Sequence, residues 1–316
     1  MAWLFTDRRM LDHETPPRHP ERPERLAAVL RQLDRTGQAG ACRRGIVREA
    51  TDAELLRVHD ADHLAFVRDA EATGGGLVEP DTWDGPGSNL AARLAAGAAV
   101  EAVKAVLAGP SRHAFCAVRP PGHHARPSHP MGFCLFGNVA VAAAEAVHGQ
   151  GLGRVLIVDW DVHHGNGTQE MFYEDGRVGF LSLHRHPFYP GTGLLDETGT
   201  GPGLGTTRNV PIRHGTSRAD YLAAFRASLA DMADRMKPEL VLLSAGFDAH
   251  AEDPIGDLGL EVEDFVAMTK DVEDVANAHA QGRIVSLLEG GYNVPILAGC
   301  VAAHLEALGI EPHFTR

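Results

Sequence analysis

The stretch Arg154-Val-Leu-Ile-Val-Asp159-Trp-Asp161-Val-His163-His164 decides how the rest of the chain is read. Val155–Asp159 is an uninterrupted apolar run closed by an acid, the pattern of a strand buried on both faces. Asp159, Asp161 and His163 stand at i, i+2 and i+4, so an extended backbone carries all three side chains to one side. Two carboxylates and an imidazole converging at a strand end are costly to bury unless a cation sits among them. A divalent metal is the simplest answer. His164 falls on the opposite face by the same alternation and is expected to give structural support. A plainer reading stays open at this point: a strand whose acids cap the next helix, with Asn166 or Thr168 at the helix start.

Outward from this stretch, apolar runs alternate with amphipathic ones. Strands are expected at Ala114–Val118, Val155–Asp159, Val178–His184, Asn209–Ile212, Leu240–Ala245 and Ile284–Leu288. Helices are expected at Pro23–Arg35, Ala61–Ala72, Ser88–Ala108, Asn138–His148, Arg218–Met236, Val262–Gln281 and Pro295–Leu308. The alternation predicts an α/β fold, a mainly parallel sheet with helices on both faces. Loops beyond the carboxyl ends of such strands build the active site. No repeat, low-complexity tract or linker interrupts the pattern, so residues 1–316 are expected to form a single catalytic domain.

The composition narrows the choice of function. A formal charge of −13 disfavours direct binding of nucleic acid and mildly favours a cationic substrate. Cys42, Cys116, Cys134 and Cys300 are scattered without a CxxC pair, which fits a reduced cytoplasmic protein with neither a disulfide framework nor a cysteine zinc cluster. Asp7, Arg8 and Arg9 interrupt the short apolar start, so no signal peptide is expected. No run approaches the ~18–20 apolar residues of a membrane span.

Each polar cluster follows an expected strand. Arg119-Pro-Pro-Gly-His123-His124-Ala125 sets two imidazoles side by side on a turn stiffened by two prolines, an arrangement suited to proton transfer. A solvated loop with incidental histidines is the bland alternative. The run Leu240–Ala245 leads through Gly246-Phe247 to Asp248, a third ligand for Asp161 and His163. Three protein ligands with one position open to water mark a catalytic metal. Leu288-Glu289-Gly290-Gly291-Tyr292 turns sharply through two glycines and presents a phenol that can donate to a developing oxyanion. A buried tyrosine after a turn is its bland counterpart. His184 and His186 are expected to line a loop, His59 and His63 to be structural, and His13 to lie at the pocket rim or on a solvated loop.

Taken together, RPPGHHA at 119–125, DWDVHHGNGTQ at 159–169, SLHRHPFYPGTG at 182–193, SAGFDAH at 244–250 and LEGGYN at 288–293 resemble the histone deacetylase family. The likeness is strongest to its class II branch, which includes bacterial histone-deacetylase-like amidohydrolases. His19-Pro-Glu-Arg-Pro-Glu-Arg25 extends it to the N-terminus. The resemblance implies the arginase/deacetylase fold, with a central parallel sheet of about eight strands.

It also implies roles. Asp161, His163 and Asp248 match zinc ligands. His123 and His124 match the tandem catalytic histidines, the second as general base, and Tyr292 matches the tyrosine that polarises the substrate carbonyl. Asp159 matches the acid paired with the first histidine. With Asp161, His163, Ser182 and Leu183, it also matches a structural potassium site. Asn166 stands where class I members carry an aspartate. Phe133, next to Gly132, matches one wall of the acyl-lysine tunnel; Tyr189 occupies the opposite wall, usually phenylalanine. Asp84 falls near a rim position that in some members holds the substrate backbone. Ile255 stands where a polyamine-selective eukaryotic member carries glutamate. The implied activity is zinc-dependent hydrolysis of N-acetyl or N-acyl lysine-type amides in a peptide or protein. The alternative substrate is an acetylpolyamine or another small acylated amine. A non-catalytic binding protein on this fold would have lost Tyr292, a metal ligand or the histidine dyad, and all are present. No partner beyond the substrate, and no oligomeric state, is implied.

Overall fold

A computed structural model describes residues 2–311; residue 1 and residues 312–316, the ends of the expected 1–316 domain, lie outside the described residues. The strands are β1 (Trp3–Phe5), β2 (Arg43–Arg44), β3 (Gly76–Glu79), β4 (Thr82–Asp84), β5 (His113–Cys116), β6 (Val155–Asp159), β7 (Val178–Arg185), β8 (Thr207–Ile212), β9 (Leu240–Ala245) and β10 (Ile284–Leu288). Eight of them form one sheet in the order β2-β1-β5-β10-β9-β6-β7-β8. Every neighbouring pair in it is parallel. β3 and β4 make a separate antiparallel hairpin.

Between the strands run α1 (Pro23–Arg35), α2 (Gln38–Ala41), α3 (Asp52–Leu55), α4 (Ala61–Ala72), α5 (Ser88–Ala108), α6 (Asn138–Ala144), α7 (Asn166–Phe172), α8 (Arg218–Met236), α9 (Val262–His279) and α10 (Val294–Ala307). β6, β9 and β10 are buried at every position, as strands covered on both faces must be. No described helix is long and apolar enough to cross a membrane.

The differences from expectation are local. β5 starts one residue earlier and ends at Cys116, with Ala117 N–H making a last bond to Phe5 O of β1 (2.9 Å). β1 and β2 are too short to carry a periodic signal. The expected helix over Asn138–His148 widens in its last turn, Glu145–Gly149, where Gln150 N–H reaches Glu145 O.

Strand order is what assembles the site. β5, β10, β9, β6 and β7 are consecutive neighbours, so the loops beyond them meet on one edge of the sheet. The motif near the N-terminus fastens two of those loops from below. Glu21 is fully buried, and its Oε1 accepts from Arg119 Nε (2.7 Å) and Arg25 Nη1 (3.2 Å). Burial alone would raise the Glu21 carboxyl, but Arg119, His13 and Arg25 outweigh it and hold it down at about 2. Arg119 also donates to the carbonyls of Met10 and His13. His13 is therefore neither a rim residue nor a solvated one. It is buried, its Nδ1 lies 2.6 Å from Ser88 Oγ, and burial pushes it down to about 3.

Glu21→Ala would leave two buried guanidiniums without their carboxylate, and such a loss costs about 3–5 kcal/mol. Urea unfolding should show a destabilisation of that size. A midpoint equal to the parent's would mean that the carbonyl contacts alone carry the arginines.

Candidate active site

β6 ends at Asp159, and the chain bends through Asp161, Val162 and His163 just beyond it. The three donors Asp161, His163 and Asp248 have ligand atoms that all lie within 4.8 Å of one another, and all three residues are buried. His163 Nδ1 stands 3.0 Å from Asp161 Oδ1 and 3.2 Å from Asp248 Oδ2. Backbone donors hold the carboxylates in place: Gly290 N–H on Asp161 Oδ2 (2.8 Å) and Val162 N–H on Asp248 Oδ1 (2.8 Å). Asp248 Oδ2 is buried without any hydrogen bond, an orphaned acceptor that a cation would satisfy.

Two glycines keep this space open. A Cβ on Gly246 would sit 2.1 Å from Asp161 Oδ2, and one on Gly290 would sit 2.1 Å from Asp248 Oδ2. Two carboxylate oxygens and one imidazole nitrogen suit zinc, and also ferrous iron or cobalt. The residues therefore fit a divalent metal.

The two adjacent histidines lie beside this cluster in unlike environments. His123 donates from Nδ1 to Asp159 Oδ2 (3.0 Å), and its Nε2 lies 3.8 Å from Asp161 Oδ1. Burial would lower its pKa, but Asp161 and Asp159 outweigh it and push it up to about 10. His124 donates from Nδ1 to Asn166 Oδ1 (2.7 Å), which leaves Nε2 as a bare acceptor. Burial, with His123 and His163 alongside, holds His124 well below 6.5. One imidazole is thus kept charged and the other neutral. α7 begins beside them: His164 O accepts from Asn166 N–H, and His123 O from the N–H groups of Gly167 and Thr168.

A cavity of about 200 Å³ reaches this cluster from the surface, lined by Asp81, Gly132, Phe133, Phe188, Tyr189 and Ile255, with His124, His163 and Tyr292 also on its wall. Phe133 packs edge-on to Tyr292 (centroids 5.8 Å apart), and Tyr189 edge-on to His124 (5.2 Å). Gly132 is required because a Cβ there would sit 2.4 Å from the His124 ring. Burial first, and then Asp81, raise the Tyr189 phenol. Burial raises Tyr292 well above 10, so its hydroxyl stays a donor.

Most of the expected site residues come together here, with Asp159 one contact back on His123. Asp84 does not. It lies fully buried at the end of β4, where neither carboxylate oxygen has a partner and burial raises it to about 7. Asp81, in the hairpin turn, faces the tunnel instead. Ser182 and Leu183 are buried within β7, and Ser182 pairs in register with Asp159. His164 is held by Thr192 Oγ1 (2.7 Å) and Gln169 Oε1 (3.0 Å), away from the donor cluster. His184 belongs to β7 rather than to a loop, bridging Ser182 Oγ and Gly193 O.

Sequence reasoning missed Phe188, which stacks on His163 at 5.2 Å, and Arg25, which lies 4.9 Å over the Tyr292 ring. It also missed the side chain of Glu289. Nothing short-range in the sequence marks the contacts of these three.

A tunnel that ends on paired imidazoles and a phenol beside a metal-type donor cluster suits hydrolytic chemistry. The histone deacetylase domain model matches residues 19–308, and the chain belongs to the histone deacetylase family. It is 41% identical over 286 residues to a probable deacetylase of Archaeoglobus fulgidus, covering 90% of this chain and 79% of the relative. It is 40% identical over 291 residues to the histone deacetylase-like amidohydrolase of Pseudomonas aeruginosa, covering 92% and 77%. The crystal structure of the HDA15 HD domain superposes with a TM-score of 0.92 at 39% identity, covering 99% of this chain and 90% of that one. The fold is accordingly the arginase/deacetylase fold that the resemblance implied.

Gly290→Ala should push a methyl group into the donor cluster. Zinc affinity, read by dialysis against graded zinc and elemental analysis, is expected to fall roughly 10–100-fold, as when a ligand's supporting contacts are lost. The far-UV circular dichroism spectrum should be retained. Parental zinc retention would count against a metal bound at this cluster.

Proposed function

We propose that this protein is a zinc-dependent deacylase that hydrolyses N-acetyl or N-acyl amides of lysine-type amines. The observation that carries the reading is the meeting of three groups at the floor of one narrow tunnel: the Asp161–His163–Asp248 cluster, the bare Nε2 of His124 and the phenol of Tyr292.

Asp161, His163 and Asp248 would hold the zinc ion, which when bound supplies Lewis acidity and lowers the pKa of water. Phe133 and Tyr189 flank an aliphatic chain from two sides and exclude water from it. His124 Nε2 takes the proton of the attacking water, while its Nδ1–H···Asn166 bond fixes the ring and tautomer. The Tyr292 hydroxyl donates to the substrate oxygen as negative charge builds there. The proton held on a histidine, His124 or the charged His123, then goes to the leaving nitrogen as the C–N bond breaks. Asp159 keeps His123 oriented throughout.

Two further assignments accompany this reading. Asp159, Asp161, His163, Ser182 and Leu183 form the structural potassium site, supported by the pairing of β6 with β7. Asp81 takes the rim role in place of Asp84, because its side chain is the one at the tunnel. Ile255 on the tunnel wall supports a lysine-type substrate over a polyamine, since no carboxylate stands there to meet an inner ammonium. The Asp81 carboxylate is the feature that favours the alternative, a small acylated amine with a second positive charge.

The deciding experiment compares kcat/KM of the zinc-loaded protein on acetyl-lysine peptides, peptides with longer acyl chains, and acetylated putrescine. The proposal expects the acetyl-lysine peptides to lead, and a lead by acetylputrescine would install the alternative. Tyr292→Phe should lower kcat by on the order of a hundredfold or more; parental turnover in this variant would remove Tyr292 from the mechanism. In the parent, activity requires neutral His124, whose pKa is depressed, so the acid limb of kcat/KM should lie below pH 6.5. Asn166→Asp adds a carboxylate to His124 Nδ1, stabilises the charged ring, and should move that limb to higher pH. An unmoved limb would assign it to another group.

A further inference from the structure

The side chain of Glu289 has no part in the reaction as derived, yet it is buried at the centre of the site. Its Oε2 accepts from two backbone donors of the histidine loop, Gly122 N (2.6 Å) and His123 N (3.2 Å). Its Oε1 accepts from Ser244 Oγ (3.3 Å) in β9. Its backbone N–H donates to Ala245 O (3.1 Å), and its backbone C=O accepts from Arg25 Nη2 (2.5 Å). The next residue donates its N–H to Asp161 Oδ2, and Gly291 O accepts from Arg25 Nε (2.7 Å). One fully buried residue therefore touches the histidine loop, β9 and the glycine turn that carries Tyr292.

We propose that Glu289 is a positioning residue that ties the His123–His124 loop to the Tyr292 turn, so that proton acceptor and oxyanion donor keep a fixed separation. The two groups act on the same carbonyl centre, one on the attacking water and the other on the oxygen. Their spacing enters the barrier directly, and a misplacement near 1 Å can cost about a hundredfold. Glu289 works through reach and hydrogen-bond acceptance. A glutamine can place its carbonyl oxygen where Oε2 stands and turn its amide towards Ser244 Oγ. An aspartate keeps the charge but is one methylene too short to bridge the gap.

The inference rests on the hydrolytic reading of the dyad, and its test has an arm that does not depend on activity. Zinc-loaded Glu289→Gln, Glu289→Asp and Glu289→Ala are compared with the parent by kcat and KM on an acetyl-lysine peptide. Backbone hydrogen–deuterium exchange is followed in the peptide covering residues 119–125. Glu289→Gln should keep kcat within about fivefold of the parent, and Glu289→Asp and Glu289→Ala should lose about tenfold or more in kcat with little change in KM. Exchange in 119–125 should quicken in the Asp and Ala variants alone.

Three results overturn the proposal: an Asp variant more active than the Gln variant, parental kcat in the Ala variant, or lost activity without faster exchange in 119–125. If Glu289→Ala fails to fold, the Gln and Asp variants decide. If the parent has no deacylase activity, the functional reading fails, while the exchange data still show whether Glu289 holds the loop.

Discussion

Four carboxylates, those of Asp159, Asp161, Asp248 and Glu289, are buried together at the carboxyl edge of the sheet, and the rest of the site is built around keeping them there. In water each would be solvated at no cost; here each must find donors or a cation. The backbone supplies most of the donors through Asp161, Val162, His163, Gly122, His123 and Gly290. An imidazole supplies part of the positive charge: Asp161 and Asp159 push His123 up to about 10 against its own burial. What remains is Asp248, held up at about 7 by burial and by Asp161, with one oxygen unpaired. Carboxylates and an unsatisfied acceptor are concentrated where three donors converge, an electrostatic imbalance that suits a divalent cation.

The same imbalance separates the two histidines. Their rings lie 4.0 Å apart, too close for both to be charged without strong repulsion. Asp159 faces the first and a neutral amide faces the second, so the charge settles on His123. Chemically identical side chains acquire different states because their partners differ, the pattern expected of an acid and a base working in one site.

Much of this was legible along the chain because the decisive residues follow buried strands. β6, β9 and β10 read as mostly apolar runs, with Ser244 and Ser286 the internal polar residues, and their boundaries agree with the structure because both faces are covered. Alternation alone separated His163 from His164. It could not separate Asp81 from Asp84, since the hairpin is short, its register shifts, and the turn sets which acid faces the tunnel. β1 and β2 carry too few residues to show a period. Arg25 and Glu289 were illegible as contacts for a different reason. Their partners lie more than a hundred residues away in sequence, and only the sheet order brings them together. Phe188 sits beside a residue that was noticed, but its stack on His163 depends on the path of the loop after β7.

The strand order carries a consequence for how the protein comes to be active. The segment after β6 contributes Asp161 and His163, yet the neighbour of β6 towards Asp248 is β9, and β7, β8 and α8 lie between them in the chain. The ligand set therefore cannot exist until the sheet has closed across this long separation, a non-local pairing of the kind that folds slowly. A nascent or partly folded chain holds only one half of this donor set. Any ligand that binds the complete donor set and not its halves stabilises the closed sheet by mass action.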